Sequence, residues 1–172
     1  MSPLKLLPPK PLPRSFTFLL VPDFSLMPFT AAIEPLRVAN RMEGQAHYSW
    51  RTASADGQSA RASNGTLVQV DTALTDAPPG DALIVCAGLR AADQKRAPIR
   101  AALRHHARRG VMIGSVCTGS VLLADAGLLD GHRCTVHWEE IESLAENYPA
   151  LTVTRSLFEI DRDRFTCSGG TA

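Results

Sequence analysis

The sequence predicts an α/β domain built on a mostly parallel sheet, and three observations carry that expectation. Residues 16–21, 82–86 and 111–115 are short runs that are apolar almost throughout. Strands buried on both faces read this way, whereas half-exposed strands alternate. Between these runs lie segments of helical period, so buried strands and helices take turns along the chain. Finally, Gly114-Ser115-Val116-Cys117-Thr118-Gly119 carries an apolar strand through small residues directly into a helix, which requires a sharp bend.

Composition bounds the classes that remain. A chain of 172 residues fits one domain with a sizeable core. Its apolar fraction of 45% and charged fraction of 20% are those of a globular protein, which excludes wholesale disorder. The formal net charge of +1 supplies no field for nucleic acid or an anionic membrane. One dense basic cluster, Arg104, His105, His106, Arg108 and Arg109, reads as the solvated face of a helix. Every apolar stretch is far shorter than the ~20 residues of a membrane span. Prolines from Pro3 to Pro13 forbid the uninterrupted apolar helix of a signal peptide. Cys86, Cys117, Cys134 and Cys167 lack CxxC spacing and disulfide-scaffold density, so they read as reduced thiols of a cytoplasmic protein without a membrane partner.

In chain order, residues 1–14 form a Pro-rich, basic lead-in expected to be mobile, and the domain occupies residues 15–172. After the first strand, Pro22-Asp23 stops it and residues 26–42 follow a helical period with Leu26, Phe29, Ile33 and Leu36 inward. Pro35 lacks an amide hydrogen, so a kink or an irregular first turn is expected there. Residues 48–53 and 67–70 read as strands, with turns at Asp56-Gly57 and Ser63-Asn64-Gly65. The strand at 82–86 ends in Ala87-Gly88-Leu89, small enough for a ligand to approach the backbone. Residues 98–109 form a helix stopped by Gly110, and residues 120–126 a helix stopped by Gly127. A strand at 133–136 leads to His137. Residues 138–148 are an amphipathic helix with Trp138, Ile141, Leu144 and Ala145 inward, followed by short strands at 152–154, 157–160 and 165–167.

The bend at Cys117 has the context of a nucleophile elbow, in which a tight turn lifts one side chain above the sheet. The next amide, that of Thr118, is placed to donate to an oxyanion. Ligand sites of open α/β sheets lie beyond the carboxyl ends of the strands, where this thiol is expected. The other three cysteines lie within or at the ends of apolar strands and read as small core residues. His137 reads equally as a base for Cys117 and as a helix-capping or partner-bonded residue. Two scattered ligands do not make a metal site, and nothing in the sequence asks for a cofactor.

Gly-Ser-Val-Cys-Thr-Gly-Ser-Val-Leu-Leu-Ala-Asp-Ala-Gly-Leu-Leu-Asp-Gly at 114–131, with Thr-Val-His-Trp-Glu at 135–139, closely resembles the PfpI-like, class I glutamine-amidotransferase-like superfamily. Glu34-Pro35-Leu36-Arg37-Val38-Ala39-Asn40, Arg61-Ala62-Ser63-Asn64-Gly65 and Thr166-Cys167-Ser168-Gly169-Gly170-Thr171-Ala172 resemble the GlxA-type subgroup, the sensor half of AraC-type regulators. The resemblance implies a flavodoxin-like three-layer sandwich, homodimerisation and a pocket at Cys117. It also implies a final helix and a DNA-binding half with two helix-turn-helix units, neither of which lies within these residues. Hydrolases and hydratases of the superfamily carry an acid near the start of the first helix; here Met27-Pro28-Phe29 stands in that place. Glu34 is the nearest acid, either directed at the pocket from further along or anchoring its helix through an ion pair.

Two functions follow as expectations. In the first, a sensor domain binds a small polar metabolite, an amino acid or quaternary amine as in similar regulators, among Glu34, Gly88, Leu89, Cys117, Thr118 and His137. DNA is contacted only through the absent half. In the alternative, a cysteine hydrolase or hydratase acts on a small amide-like substrate, with Cys117 attacking, His137 relaying protons and the amides of Thr118 and Gly88 holding the oxyanion. Oxidation of Cys117 as a redox signal is a third possibility.

Overall fold

The computed structural model describes residues 12–169; the expectations for residues 1–11 of the lead-in and for Gly170, Thr171 and Ala172 lie outside the described residues. In order come β1 (Ser15–Leu20), α1 (Leu26–Glu43), β2 (Ser49–Ser54), β3 (Ala60–Arg61), β4 (Leu67–Val68), β5 (Thr72–Ala73) and β6 (Ala82–Cys86). There follow α2 (Ala97–Arg108), β7 (Met112–Val116), α3 (Ser120–Asp125), β8 (Arg133–Cys134), α4 (Ile141–Asn147), β9 (Thr152–Val153), β10 (Phe158–Asp161) and β11 (Arg164–Cys167). Single 3-10 turns occupy Ala91–Gln94, Cys117–Gly119 and Trp138–Glu140.

Seven strands make one sheet in the order β10-β11-β7-β6-β1-β2-β5. All its pairings are parallel except β10 with β11. Successive side chains of a strand point to opposite faces, and the apolar runs therefore feed two cores. Leu19, Leu83, Val85 and Ile113 pack under α2, α3 and α4, against Leu103, Leu122, Leu123 and Leu144. Phe18, Leu20, Ile84, Cys86 and Val116 pack on the other side against Phe24 and Phe29, with Leu26, Ile33 and Leu36 of α1 above them. This is the expected three-layer sandwich. On the α1 side the cover thins towards β10, where Phe158 and Ile160 are exposed. Among the described residues no helix is long and apolar enough to cross a membrane.

Register fixes where the site sits. Leu20 pairs with Cys86, Cys86 with Val116, and Val116 with Cys167, so β1, β6, β7 and β11 end in one row. The residue after that row on β7 is Cys117.

Several elements depart from the sequence reading. The helix α1 passes through Pro35 without a break, and its first turn is regular helix. The strand expected at 67–70 is only β4, paired with β3 in a small hairpin off the main sheet. Trp138 and Ala145 point outward, Trp138 being 70% exposed. The chain opens there with a 3-10 turn of three residues per turn, so Trp138 is rotated away from the Ile141 and Leu144 face. His106, read as solvated, is buried with Ile99 and Leu103 on the inner stripe of α2. Arg104 of the same run donates from Nε to the Ala126 carbonyl at 2.7 Å, and Arg164 Nε to that of Leu128 at 2.7 Å, fastening the chain where α3 ends.

Candidate functional site

Cys117 adopts φ +60°, a left-handed backbone that residues with a Cβ rarely take. The strain is located where a nucleophile elbow has it, between β7 and the 3-10 turn that runs into α3. Gly119 makes the bend possible. A Cβ there would lie 2.5 Å from the Val85 carbonyl oxygen and 2.9 Å from Cβ of Ser115. Only glycine lets the start of the helix rest on β6.

Small polar side chains hold the bend from beneath, and all are buried. Ser120 donates its hydroxyl to the Thr135 carbonyl at 2.6 Å and accepts from Ser115 at 2.8 Å. The Thr135 amide donates to Thr166 Oγ1 at 2.9 Å, and the Thr135 hydroxyl donates to the Ser156 carbonyl at 2.8 Å. Strand β7, helix α3, the segment leading to His137 and strand β11 are thereby joined in one satisfied network. Sequence reasoning passed over these residues, because Ser and Thr inside apolar strands carry no pattern of their own.

The same construction positions the residues around the thiol. Thr118 Oγ1 donates to the Gly88 carbonyl at 2.6 Å, linking the elbow to the loop after β6. A Cβ at Gly88 would collide with the Asp23 carbonyl and the Ser25 amide, so this loop lies hard against the loop after β1. The His137 amide donates to the Cys117 carbonyl at 3.1 Å. Its imidazole stands half-exposed with Nδ1 3.5 Å from Glu139 Oε2, and a Cβ added at Gly169 would lie 3.6 Å from Cδ2. Cys117, Gly88, Thr118 and His137 are therefore brought together. Leu89, next to Gly88, is 63% exposed. Glu34 is not brought to this group. It lies on the solvent side of α1, where Arg37 donates to it through Nε and Nη2 at 2.8 and 2.7 Å. Of its two readings, the geometry gives it the ion pair. A groove of about 880 Å³ lined by Arg14, Asp81, Met112, Ile160 and Arg162 opens at the opposite, amino-terminal end of the strands.

The electrostatics of the thiol are those of a held group rather than an activated one. Cys117 keeps 7% of its surface exposed. Burial raises its pKa above the ordinary thiol range, the Thr118 amide pulls it back, and Cys167 and Glu139 add to the rise. No acid lies in the first turn of α1, where Pro28 and Phe29 are buried. Among the described residues no hydrogen bond joins the sulfur to His137, and no group of three or more His, Cys, Asp or Glu side chains forms a metal site.

Comparison with known proteins agrees with this geometry. The chain is 49% identical over 166 residues to the HTH-type transcriptional regulator CdhR of Pseudomonas aeruginosa, covering 92% of this chain and 47% of that protein. It is 44% identical over 160 residues to the HTH-type transcriptional regulator GbdR of the same species, covering 93% of this chain and 44% of that protein. The chain thus spans about half the length of these regulators. Among solved structures, an AraC family transcriptional regulator from Pseudomonas putida superposes with a TM-score of 0.81 at 29% identity, over 92% of this chain and 85% of that one. A profile of the DJ-1/PfpI family matches residues 15–171. With the elbow, the parallel sheet and this match together, the chain belongs to the DJ-1/PfpI family.

Proposed function

We propose that this domain is the ligand-sensing part of an AraC-type transcriptional regulator, taking up a small polar metabolite beside Cys117. The observation that carries the reading is the elbow itself. It presents a strained cysteine next to Thr118, Gly88 and His137, yet burial raises the pKa of the thiol and no acid stands at the start of α1. A nucleophile that turns over needs a thiolate or a base in contact with it, whereas a binding site does not. The relatives of this chain are regulators, which supports the same choice. The domain works as a cytoplasmic homodimer. Differential affinity of the metabolite for two arrangements of that dimer biases DNA binding by a helix-turn-helix half outside these 172 residues.

Calorimetric titration against a panel of small polar metabolites tests this. At least one is expected to bind, and His137→Ala to weaken it by about tenfold, the loss of one to two good polar contacts. A panel that gives no heat with this chain or with a full-length regulator carrying it contradicts the proposal.

A further inference from the structure

Four non-glycine residues among those described have left-handed backbone: Asp23, Arg90, Cys117 and Arg162. Three of them gather at one place. Asp23 follows β1, Arg90 follows β6 and Cys117 follows β7, and these strands are neighbours in the order β7-β6-β1. The loops are joined to one another. Ser25 donates its amide to the Ala87 carbonyl at 3.3 Å, the Gly88 backbone abuts Asp23, and Gly88 accepts from Thr118 of the elbow. The hairpin of β3 and β4 is strapped on as well, through Asp23 N–H to the Arg61 carbonyl at 2.9 Å and Ser63 N–H to the Phe24 carbonyl at 2.9 Å. Across the top, Arg90 Nη2 donates to Asp23 Oδ2.

The two halves of that ion pair are unequally placed. The Asp23 side chain is 22% exposed and the Arg90 side chain 66%. The carboxylate is the less exposed of the two and anchors the guanidinium, which stays largely exposed; among the described residues Asp23 is its one hydrogen-bond partner, and Asp93 acts on it electrostatically. A planar fork with unused donors is suited to gripping a carboxylate through two parallel hydrogen bonds.

We infer that Arg90, held in place by Asp23, is the residue that recognises the carboxylate of a ligand seated at Cys117. This rests on the sensing reading above and adds to it a chemical class and a positioning residue.

Charged and neutral thiol reagents test it. Anionic sulfonatoethyl and neutral methyl methanethiosulfonate both form a mixed disulfide with the Cys117 thiolate and release methanesulfinate, and peptide mass spectrometry assigns the rate to Cys117. The ratio of anionic to neutral rate removes any change in thiol ionisation or general opening of the site. That ratio is expected to fall threefold or more in Arg90→Gln, to rise at least twofold in Asp23→Asn, and to stay near the wild-type value in Arg90→Lys. A ratio unchanged in both Arg90→Gln and Asp23→Asn overturns the assignment. If metabolite binding persists in calorimetry at the same time, the sensing reading stands and only Arg90 has lost its role. A shifted ratio with no metabolite bound by any panel member separates the two in the other direction.

Discussion

At Gly119 the usual rule for a glycine near a helix start reverses. Glycine to alanine in a helix ordinarily stabilises by roughly 1 kcal/mol, because the unfolded chain loses freedom. Here the added methyl would meet the backbone oxygen of Val85 at 2.5 Å, and a backbone oxygen cannot turn aside. Gly119→Ala is expected to destabilise by about 1–3 kcal/mol, the range for overpacking, and to disturb the elbow. A urea midpoint equal to or above that of the wild type would contradict the close packing. The elbow was legible in sequence, since strand, small residues and helix follow one another from Gly114 to Ser120. The rim was not. Asp23 read only as a strand stop and Arg90 drew no reading at all, because a pairing across 67 positions leaves no local trace.

Between elements, the buried hydroxyls decide how firmly His137 is held. Thr166 is 1% exposed and accepts the amide of Thr135, itself fully buried. Thr166→Val keeps the shape and removes the acceptor, leaving a buried N–H without a partner. A loss of about 1–3 kcal/mol is expected by urea unfolding, while Leu103→Ala, at a fully buried position on α2, is expected to cost about 2–5 kcal/mol. A Thr166→Val chain as stable as the wild type would mean that water or another group satisfies that amide. The main strands and helices were readable because burial on both faces writes long apolar runs. Errors came where a local feature changed the period or the chemistry. The 3-10 turn at Trp138–Glu140 swung Trp138 outward, and His106 hid in a basic run although Ile99, Leu103 and His106 share one helical stripe.

Across the whole molecule, the titrating groups bracket a stability plateau. Burial, the largest cause, lowers the pKa of His106, with an opposing contact from the Leu74 backbone. Below its ordinary value of ~6.5 the unfolded chain takes a proton that the folded chain resists, so stability falls as pH drops through that range. Backbone amides of Arg14 and Ser15 hold Asp81 below the ordinary carboxylate range, and its contribution is lost at still lower pH. On the alkaline side burial pushes Cys134 up to about 11 and raises Cys86 further. Above ~9 the unfolded thiols ionise while the folded ones stay protonated, so stability falls again as pH rises. Urea midpoints are expected to be highest between about pH 7 and 8.5 and lower on both sides, with the alkaline decline reduced in Cys134→Ala. A midpoint that holds steady to about pH 10.5 would contradict the buried-thiol account.

The central claim is that the elbow holds a protonated thiol for binding rather than a thiolate for attack. The pH profile of Cys117 alkylation by iodoacetamide, read peptide by peptide in the mass spectrometer, tests it most directly. A midpoint above that of free cysteine is expected, with a neutral-pH rate no faster than that of free cysteine. A midpoint below about 7, with reaction faster than free cysteine at neutral pH, would contradict it and return the site to nucleophilic chemistry.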